Sequence, residues 1–137
     1  MIWEKGIYDL LINCATRCDE FATECSRWGD VENWYKSIFL GLDCADICRQ
    51  LAMLYVRGSE NTPLLAKACI EVCEKCVEEV NKFDVSPCQQ ISALCQQTIL
   101  SCTGILEMAS HTEKQNIPVT NSAPLFYGIN LREMLYN

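Results

Sequence analysis

The chain has 137 residues, half of them apolar, which suits one domain with a buried core and argues against disorder. Its 11 Lys and Arg against 18 Asp and Glu give a net charge of -7 without any basic run, so no nucleic acid is expected as a partner. No apolar run reaches the ~20 residues of a membrane span. Residues 1–6 lack the features of an export signal, so we predict a cytoplasmic protein that does not associate with membranes.

Two long helices are predicted in the first half of the chain. The first spans about residues 3–28 and ends at Gly29, because glycine readily adopts the left-handed conformation that terminates a helix. Asp30 is predicted to cap the second helix, which runs to about residue 57 and stops at Gly58.

Two further helices are predicted in the second half. Thr62 is the predicted N-cap of a helix over residues 63–83, which has proline at its first position. Ser86 and Gln89 form a capping-box pattern at the start of a helix over residues 87–110. Four long helices joined by short turns predict an all-α, up-down-up-down four-helix bundle.

The sequence changes character after the fourth helix. Residues 112–124 are polar and contain two prolines, and apolar clusters then return at residues 125–127 and 131–136. We predict that residues 1–111 form the bundle. Residues 112–137 are predicted to form an extended C-terminal arm that ends in a short helix and docks on the bundle or on a neighbouring subunit.

Eleven cysteines are the most informative residues of the chain. Within each predicted helix they are separated by three, four or seven residues. Because each helical residue advances ~100°, these spacings return side chains to one face. We therefore predict four cysteine-bearing faces that line the core with thiols. The candidate metal ligands are Cys14, Cys18, Cys25, Cys44, Cys48, Cys69, Cys73, Cys76, Cys88, Cys95 and Cys102.

The predicted turns also give an approximate axial register for these cysteines. If neighbouring helices are antiparallel, Cys25, Cys44, Cys76 and Cys95 are expected to share one level of the bundle. Most of the others spread over the next one or two turns. Cys14 is expected closer to the end of the bundle that holds the chain termini, and Cys88 near the opposite end. The sulfur atoms would then form a ladder along the bundle axis.

Several roles for such a core remain open on the residues alone. Cysteine also packs as a small hydrophobe, although eleven are hard to assign to packing. An odd number inside helices does not suit a disulfide scaffold, and the reducing cytosol favours free thiols. Zinc favours Cys-x2-4-Cys pairs in turns, whereas Cys73 and Cys76 lie in mid-helix. No ferredoxin spacing appears, although four cysteines at one level leave an iron–sulfur cluster as an option.

Cu(I) fits the pattern better than these alternatives. It is soft and monovalent and prefers thiolate ligands. Replacing one thiol proton by one Cu(I) ion leaves the net charge of a buried core unchanged. Three i,i+4 pairs are same-face neighbours that could each hold one ion: Cys14/Cys18, Cys44/Cys48 and Cys69/Cys73.

The stretch from Leu42 to Cys48, with its Cys-Ala-Asp-Ile-Cys motif, and the run from Cys69 to Cys76 resemble a known family. It is the cysteine-rich four-helix-bundle family that includes the bacterial copper storage proteins, and the resemblance covers about residues 7–103. It implies several Cu(I) ions per chain, all eleven cysteines as candidate ligands, and a homo-oligomer, often a tetramer. Capacity should be reduced, because other residues stand at inward positions that could hold sulfur: Phe21 or Ala22, Leu51, Tyr55, Val80, Ile91 and Thr98.

We therefore predict a protein that binds multiple Cu(I) ions and stores or buffers copper. No catalytic step is expected, because no nucleophile–base pair or phosphate loop is present. The alternative is a structural or oligomerisation module with inert or redox-active thiols and no stored metal. Met53, Met108 and His111 are expected towards the end of the bundle that holds the N-terminus. There they could pass Cu(I) inward, although methionine on a helix more often belongs to the core.

Overall fold

The computed structural model describes residues 4–114 and, beyond them, only two short strands. Its helices are α1 (Lys5–Cys25), α2 (Val31–Val56), α3 (Thr62–Val80) and α4 (Ser86–Lys114). Each helix packs against its neighbours in sequence, and α1 also meets α4, so the four close into a ring. The predicted all-α, up-down-up-down bundle is thus confirmed. Among the described helices, none is both long enough and apolar enough to cross a membrane.

The described part of the C-terminal segment is a pair of antiparallel strands, which the sequence analysis did not anticipate. Strand β1 (Leu125–Phe126) pairs with β2 (Ile129–Asn130), and Phe126 lies opposite Ile129. Helix α4 continues to Lys114, past the predicted start of the arm. The short helix predicted at the end of the arm lies outside the described residues, and the division at residue 111 stays a prediction.

The turn between α1 and α2 contains the predicted glycine stop and the predicted N-cap residue of α2. Gly29 has a φ of +70°, and Gly58 after α2 has a φ of +67°, which are conformations that glycine adopts without strain. Asp30 was predicted to cap α2 with its side chain. Instead its backbone is left-handed, and its carboxylate accepts a hydrogen bond from the Asn33 amide at 2.6 Å. Asp30 is thus the N-cap residue of α2, as predicted, but its side chain bonds within the turn and does not cap a backbone N–H of the helix.

Two other helix starts also differ from the predicted caps. Thr62 lies inside α3, and its hydroxyl donates to the Ser59 carbonyl at 2.7 Å. Ser86 is the first residue of α4, and the Gln89 amide donates to Asp84 at 2.9 Å. The first bond ends on a backbone carbonyl and the second joins two side chains, so neither caps a backbone N–H of a helix start.

The two ends of the bundle are closed by different apolar residues. At the end that holds the turn between α1 and α2, the Trp28 and Trp34 ring centroids are 4.8 Å apart, and those of Trp34 and Phe83 are 4.3 Å apart. Phe21 meets Trp28 edge-on from inside the bundle, at 6.3 Å. We call these four residues the aromatic end. Such ring pairs stabilise by about 0.5–1.5 kcal/mol beyond the area they bury.

The opposite end is closed by Leu11, Leu51, Tyr55 and Ile105, which we call the aliphatic end. All four are buried and belong to the same core cluster as the cysteines. The Glu4 backbone N–H donates to the Tyr55 hydroxyl at 2.8 Å, which ties the start of α1 to the end of α2. This bond satisfies a donor that a helix start leaves without an intrahelical partner.

Ion pairs on the surface connect neighbouring helices. Arg49 of α2 pairs with Asp19 of α1. On the other side of α2, the buried carboxylate of Glu79 accepts a hydrogen bond from Lys82 at 2.8 Å and pairs with Lys36 of α2 at 3.5 Å. The bond from Lys82 is the main reason that the pKa of Glu79 lies below its usual range.

Gly41 allows α1 and α2 to approach closely. A Cβ atom at this position would lie 3.5 Å from the Cys18 carbonyl oxygen and 3.5 Å from the Phe21 ring, which is ordinary van der Waals contact. There is therefore room for one methyl group. Alanine also restricts the unfolded chain more than glycine does.

We expect Gly41→Ala to raise the free energy of unfolding by about 0.5–1 kcal/mol, and Gly41→Leu to lower it through overpacking. Urea denaturation of the reduced, metal-free protein measures both changes. Gly104→Ala is the matched control, because that helical position has no atom within 4 Å of the added methyl group. A loss of stability in Gly41→Ala beside a gain in Gly104→Ala would show that the contact between α1 and α2 cannot accept a methyl group.

Candidate metal centre

Every cysteine predicted as a ligand lies in the interior. All eleven belong to the described part of the chain, are fully buried and carry free thiols. The inward positions that were predicted to lack sulfur are buried as well, namely Phe21, Ala22, Leu51, Tyr55, Val80, Ile91 and Thr98. The inward orientation of the cysteine faces is therefore confirmed.

Seven of the sulfur atoms form three linked triads. In each triad the sulfur atoms lie within 4.8 Å of one another. Cys73 belongs to two triads and Cys95 also belongs to two, so the three groups join into one continuous chain of sulfur. The triads are Cys14/Cys18/Cys95, Cys44/Cys73/Cys95 and Cys48/Cys69/Cys73.

The individual sulfur separations suit a thiophilic ion. The Sγ atoms of Cys48 and Cys69 are 3.8 Å apart, and Cys73 lies 4.0 Å from both Cys44 and Cys69. These distances are far longer than the ~2.05 Å of a disulfide bond. Two metal–sulfur bonds of about 2.3 Å, the length that zinc makes, span up to about 4.6 Å. An ion can therefore bridge these atoms with little movement of the helices.

Cys76 joins the same group, because its thiol interacts with Cys44 and Cys95. We call the resulting eight residues the central sulfur cluster. All four helices contribute to it. Its members are Cys14, Cys18, Cys44, Cys48, Cys69, Cys73, Cys76 and Cys95.

The predicted axial register was wrong for α1. Cys18, and not Cys25, interacts with Cys44 at the level of Cys76 and Cys95. The reason is the close packing of Gly41 against Cys18, which shifts α1 by two turns relative to the prediction. Cys25 instead lies near Cys88, so that these two thiols belong to the aromatic half of the bundle.

The buried polar residues of the inward helix faces include Ser37, Ser92 and Thr98, and of these only Thr98 was named from the sequence. Ser37 of α2 is fully buried, and its hydroxyl has no hydrogen-bond partner among the described residues. Ser92 and Thr98 of α4 are buried too, and the Thr98 hydroxyl donates to the Leu94 carbonyl at 3.0 Å. Ser37 and Ser92 occupy helical positions on inward faces, a signal that the sequence does contain.

Met53, Met108 and His111 do not line the sulfur core. Met53 is 43% exposed, Met108 is 46% exposed, and His111 is exposed near the end of α4. The aliphatic end lies between this part of the surface and the central sulfur cluster. The role in metal transfer considered for these three residues stays a prediction.

Comparison with known protein families gives a match over most of the chain. A family model described as copper storage protein matches residues 4–107, which is most of the chain. The chain belongs to the copper storage protein family. A search of curated proteins gave no match.

Two solved copper storage protein structures from Streptomyces lividans share the fold. One is Ccsp loaded with 10 copper equivalents. It is 24% identical with a TM-score of 0.70, and the match covers 74% of this chain and 82% of that one. The other is a cytosolic copper storage protein with five coppers. It has the same identity and TM-score, and 89% of its length is covered, against 74% of this chain.

The central sulfur cluster of this copper storage family member favours thiolates at particular positions. The thiol of Cys18 is the main donor to Cys14 and lowers its pKa to about 4. Cys44, followed by Cys95, lowers the pKa of Cys76 to about 6 in the same way. The pKa values of the donors Cys44 and Cys95 are raised in turn, because their protons are held by neighbouring sulfur atoms.

The two cysteines near the aromatic end behave differently. Burial raises the pKa of Cys25 to about 12, and the charge of Cys88 adds to this effect. Burial likewise raises the pKa of Cys88 to about 11. Both are therefore protonated thiols at neutral pH, and metal binding there must displace a firmly held proton.

We expect the ultraviolet thiolate absorption of the reduced, metal-free protein to gain a step as the pH rises through about 6, where Cys76 ionises, beyond the absorption that Cys14 already gives. Cys76→Ser should remove this step, whereas Cys102→Ser should keep it. Absorption that develops only near the ordinary thiol pKa of about 8.5 in the parent protein would contradict a stabilised thiolate. The matching rise in stability would run from the folded pKa of about 6 up to the unfolded value, since a lowered pKa favours the folded state at higher pH.

Proposed function

We propose that this protein binds multiple Cu(I) ions through its inward cysteine thiolates and thereby stores or buffers copper. The central sulfur cluster is the main support for this proposal, because its three linked sulfur triads lie in a fully buried core. Membership of the copper storage protein family points to the same cargo.

The charge of the core favours Cu(I) over divalent metals. A dry interior tolerates an unbalanced charge poorly. Each Cu(I) that replaces one thiol proton leaves the charge unchanged, and Cu(I) is a soft ion that thiolates select. A Zn²⁺ ion with four thiolates would leave two negative charges in the core. Groups of three sulfur atoms also match the low coordination number of Cu(I) better than a tetrahedral site.

All eleven cysteines are proposed as ligands, with the central sulfur cluster occupied first. Cys14 and Cys76 favour the thiolate form that binds metal, whereas burial keeps the protons on Cys25 and Cys88. The latter two, together with Cys102, would then extend the store at higher copper load. The two solved relatives are described with five and with 10 coppers, which supports a graded capacity.

The proposed setting is the cytoplasm, and the proposed role is not catalytic. One of the solved relatives is described as cytosolic. The only histidine, His111, is exposed near the end of α4, so no described histidine can act as a base towards the buried thiols. An ion held only by buried thiolates has no open position for a substrate, which favours storage over catalysis.

A redox-active bundle without stored metal is the second candidate. The Cys48 and Cys69 sulfur atoms, 3.8 Å apart on facing helices, are close enough to be oxidised to a disulfide after a small movement. The two functions differ in the metal content of the fully reduced protein.

An anaerobic titration of the reduced protein with Cu(I) against a competing chelator tests the proposal. We expect several tightly bound ions per chain, approaching the number of thiols. Zero or one bound ion, with all thiols still free in a parallel thiol assay, would contradict storage and favour the redox-active or structural bundle.

Single cysteine variants locate the store. Cys73 belongs to two triads and Cys102 belongs to none. Cys73→Ser should therefore remove more than one tightly bound ion, or weaken the affinity at least about tenfold, whereas Cys102→Ser should lose at most one ion. Equal losses in both variants would show that the triads do not act as the centre of the store.

We also propose that the protein forms a homo-oligomer. The exposed face of α2 carries an apolar stripe at helical spacing, made of Val31, Tyr35, Phe39 and Leu42. Contiguous exposed apolar surface is a feature of association sites, and a second copy of the chain would cover it.

Light scattering after size-exclusion chromatography tests this oligomer. We expect a mass of two or more chains for the parent protein and a shift towards the monomer for Phe39→Glu, because a charge would then lie in the contact. Leu100→Glu is the matched control on the exposed side of α4. A monomeric parent protein would contradict the proposal, and loss of association only in Leu100→Glu would move the interface to α4.

A further inference from the structure

The route by which copper reaches the buried sulfur atoms is not obvious from the ends of the bundle. Ring pairs close one end, where Trp34 lies between Trp28 and Phe83. At the other, Leu11 and Leu51 are fully buried and Ile105 is 1% exposed. Within the described part of the chain, an ion moving along the axis would therefore have to cross a packed apolar layer at either end. Such layers contain few gaps larger than a water molecule.

The side of the bundle offers a different path. A groove of about 320 Å³ lies along the seam between α1 and α4. Its rim carries polar groups, including Arg17, Glu20 and Glu24 of α1 and Gln90 of α4, while Phe21 and Ile91 contribute apolar surface. The volume lies at the lower limit of small-molecule sites and is much too small for a folded partner.

This groove lies directly outside the sulfur atoms. Phe21 is 3% exposed and stands between Cys18 and Cys25 in α1, three and four residues from them. Ile91 is 4% exposed and stands between Cys88 and Cys95 in α4 with the same spacing. Because residues three and four apart share a helix face, these two buried side chains line the groove and are the immediate neighbours of the thiols.

We propose that the groove between α1 and α4 is the portal through which Cu(I), carried by a small polar thiol compound, reaches the central sulfur cluster. The inference rests on the proposed storage function. In the transfer step a cysteine sulfur forms a bond to Cu(I), the bond from Cu(I) to the carrier sulfur breaks, and the cysteine proton passes to the carrier thiolate. No electron is exchanged and the charge of the core is unchanged.

The polar rim suits such a carrier. Arg17 pairs with Glu20 at 3.2 Å and Glu24 adds a further carboxylate. The rim therefore offers acceptors to the ammonium group of a small peptide-like thiol, while the Gln90 amide matches its amide groups. A soft ion also moves most readily between thiolates, since it then never loses its preferred ligand type. Cys18 and Cys95 belong to the triad whose helices border the groove, so they are the first sulfur atoms of the cluster on this path.

Filling the groove tests the portal. Gln90 is exposed and lines the groove. Gln90→Trp should therefore fill the groove and slow Cu(I) uptake from a glutathione–Cu(I) complex by about tenfold. The final number of bound ions should be unchanged. The matched control is Gln97→Trp, an exposed position two helical turns further along the same face of α4. Equal uptake rates in the two variants would overturn the inference.

A second pair of variants compares the groove with the end of the bundle. Ile91→Val removes one methylene group beneath the groove, and Ile105→Val makes the same change at the aliphatic end. Both changes are mild enough to preserve the fold. We expect faster uptake only in Ile91→Val. Faster uptake only in Ile105→Val would overturn the portal and place the route at the aliphatic end.

An alkylation experiment without copper tests the proposed portal independently of the proposed storage function. Iodoacetamide alkylates thiols, and mass spectrometry of peptides reports the rate at each cysteine. Gln90→Trp should slow alkylation of Cys18 and Cys95 relative to Gln97→Trp, whether or not the protein stores copper. If the alkylation rates differ as expected but a copper titration shows no bound ions, the storage function is contradicted and the portal is not. If the two variants are alkylated at equal rates, the portal is contradicted.

Discussion

The structure depends on one constraint, which is that a dry core can hold many sulfur atoms only while its charge stays balanced. A buried thiolate is tolerated where neighbouring thiols donate hydrogen bonds to it, as Cys18 does to Cys14. Where such donors are few, as around Cys25, the proton stays in place. A soft monovalent ion satisfies the same constraint, because it takes the place of a proton without adding charge. The arrangement of the sulfur atoms is therefore equally suited to the reduced, metal-free protein and to the copper-loaded one.

The same constraint explains the distribution of side-chain size in the core. Small residues, including Ala15, Ala45 and Ala66, alternate with the cysteines, and Gly41 lets α1 approach α2. Close helices bring sulfur atoms from different helices to about 4 Å, as Cys44 and Cys73 show. Small side chains bury less apolar area than leucine, so the middle of the bundle contributes less hydrophobic stabilisation. The larger side chains gather at the aromatic and aliphatic ends, which therefore stabilise the fold on either side of the sulfur atoms.

Periodicity in the sequence was sufficient to predict four helices and their inward faces, because a spacing of three, four or seven residues depends only on helix geometry. It was not sufficient for the contacts between helices. The position of Cys18 beside Cys44 follows from how Gly41 packs on α1, and no pattern within one helix contains that information. The side-chain bond of Asp30 and the start of α3 one residue before its predicted position were missed for a related reason, since several polar residues compete for each helix start. The strand pair had a local signal, a glycine at position 128 between short apolar runs, but two-residue strands lie below what periodicity detects.

A copper storage protein must keep water away from its thiolates and must still exchange copper ions. In this bundle, different surfaces meet these two requirements. The ends consist of large apolar side chains in contact with one another, which keeps water out but offers no ligand to a moving ion. The seam between α1 and α4 has polar groups at its rim and a thin apolar floor formed by Phe21 and Ile91. Displacement of Ile91, which belongs to neither end, opens this floor beside Cys88 and Cys95, whereas opening an end would separate several packed residues. Exchange through the seam therefore disturbs fewer packed side chains than exchange through either end, which is the physical basis of the proposed portal.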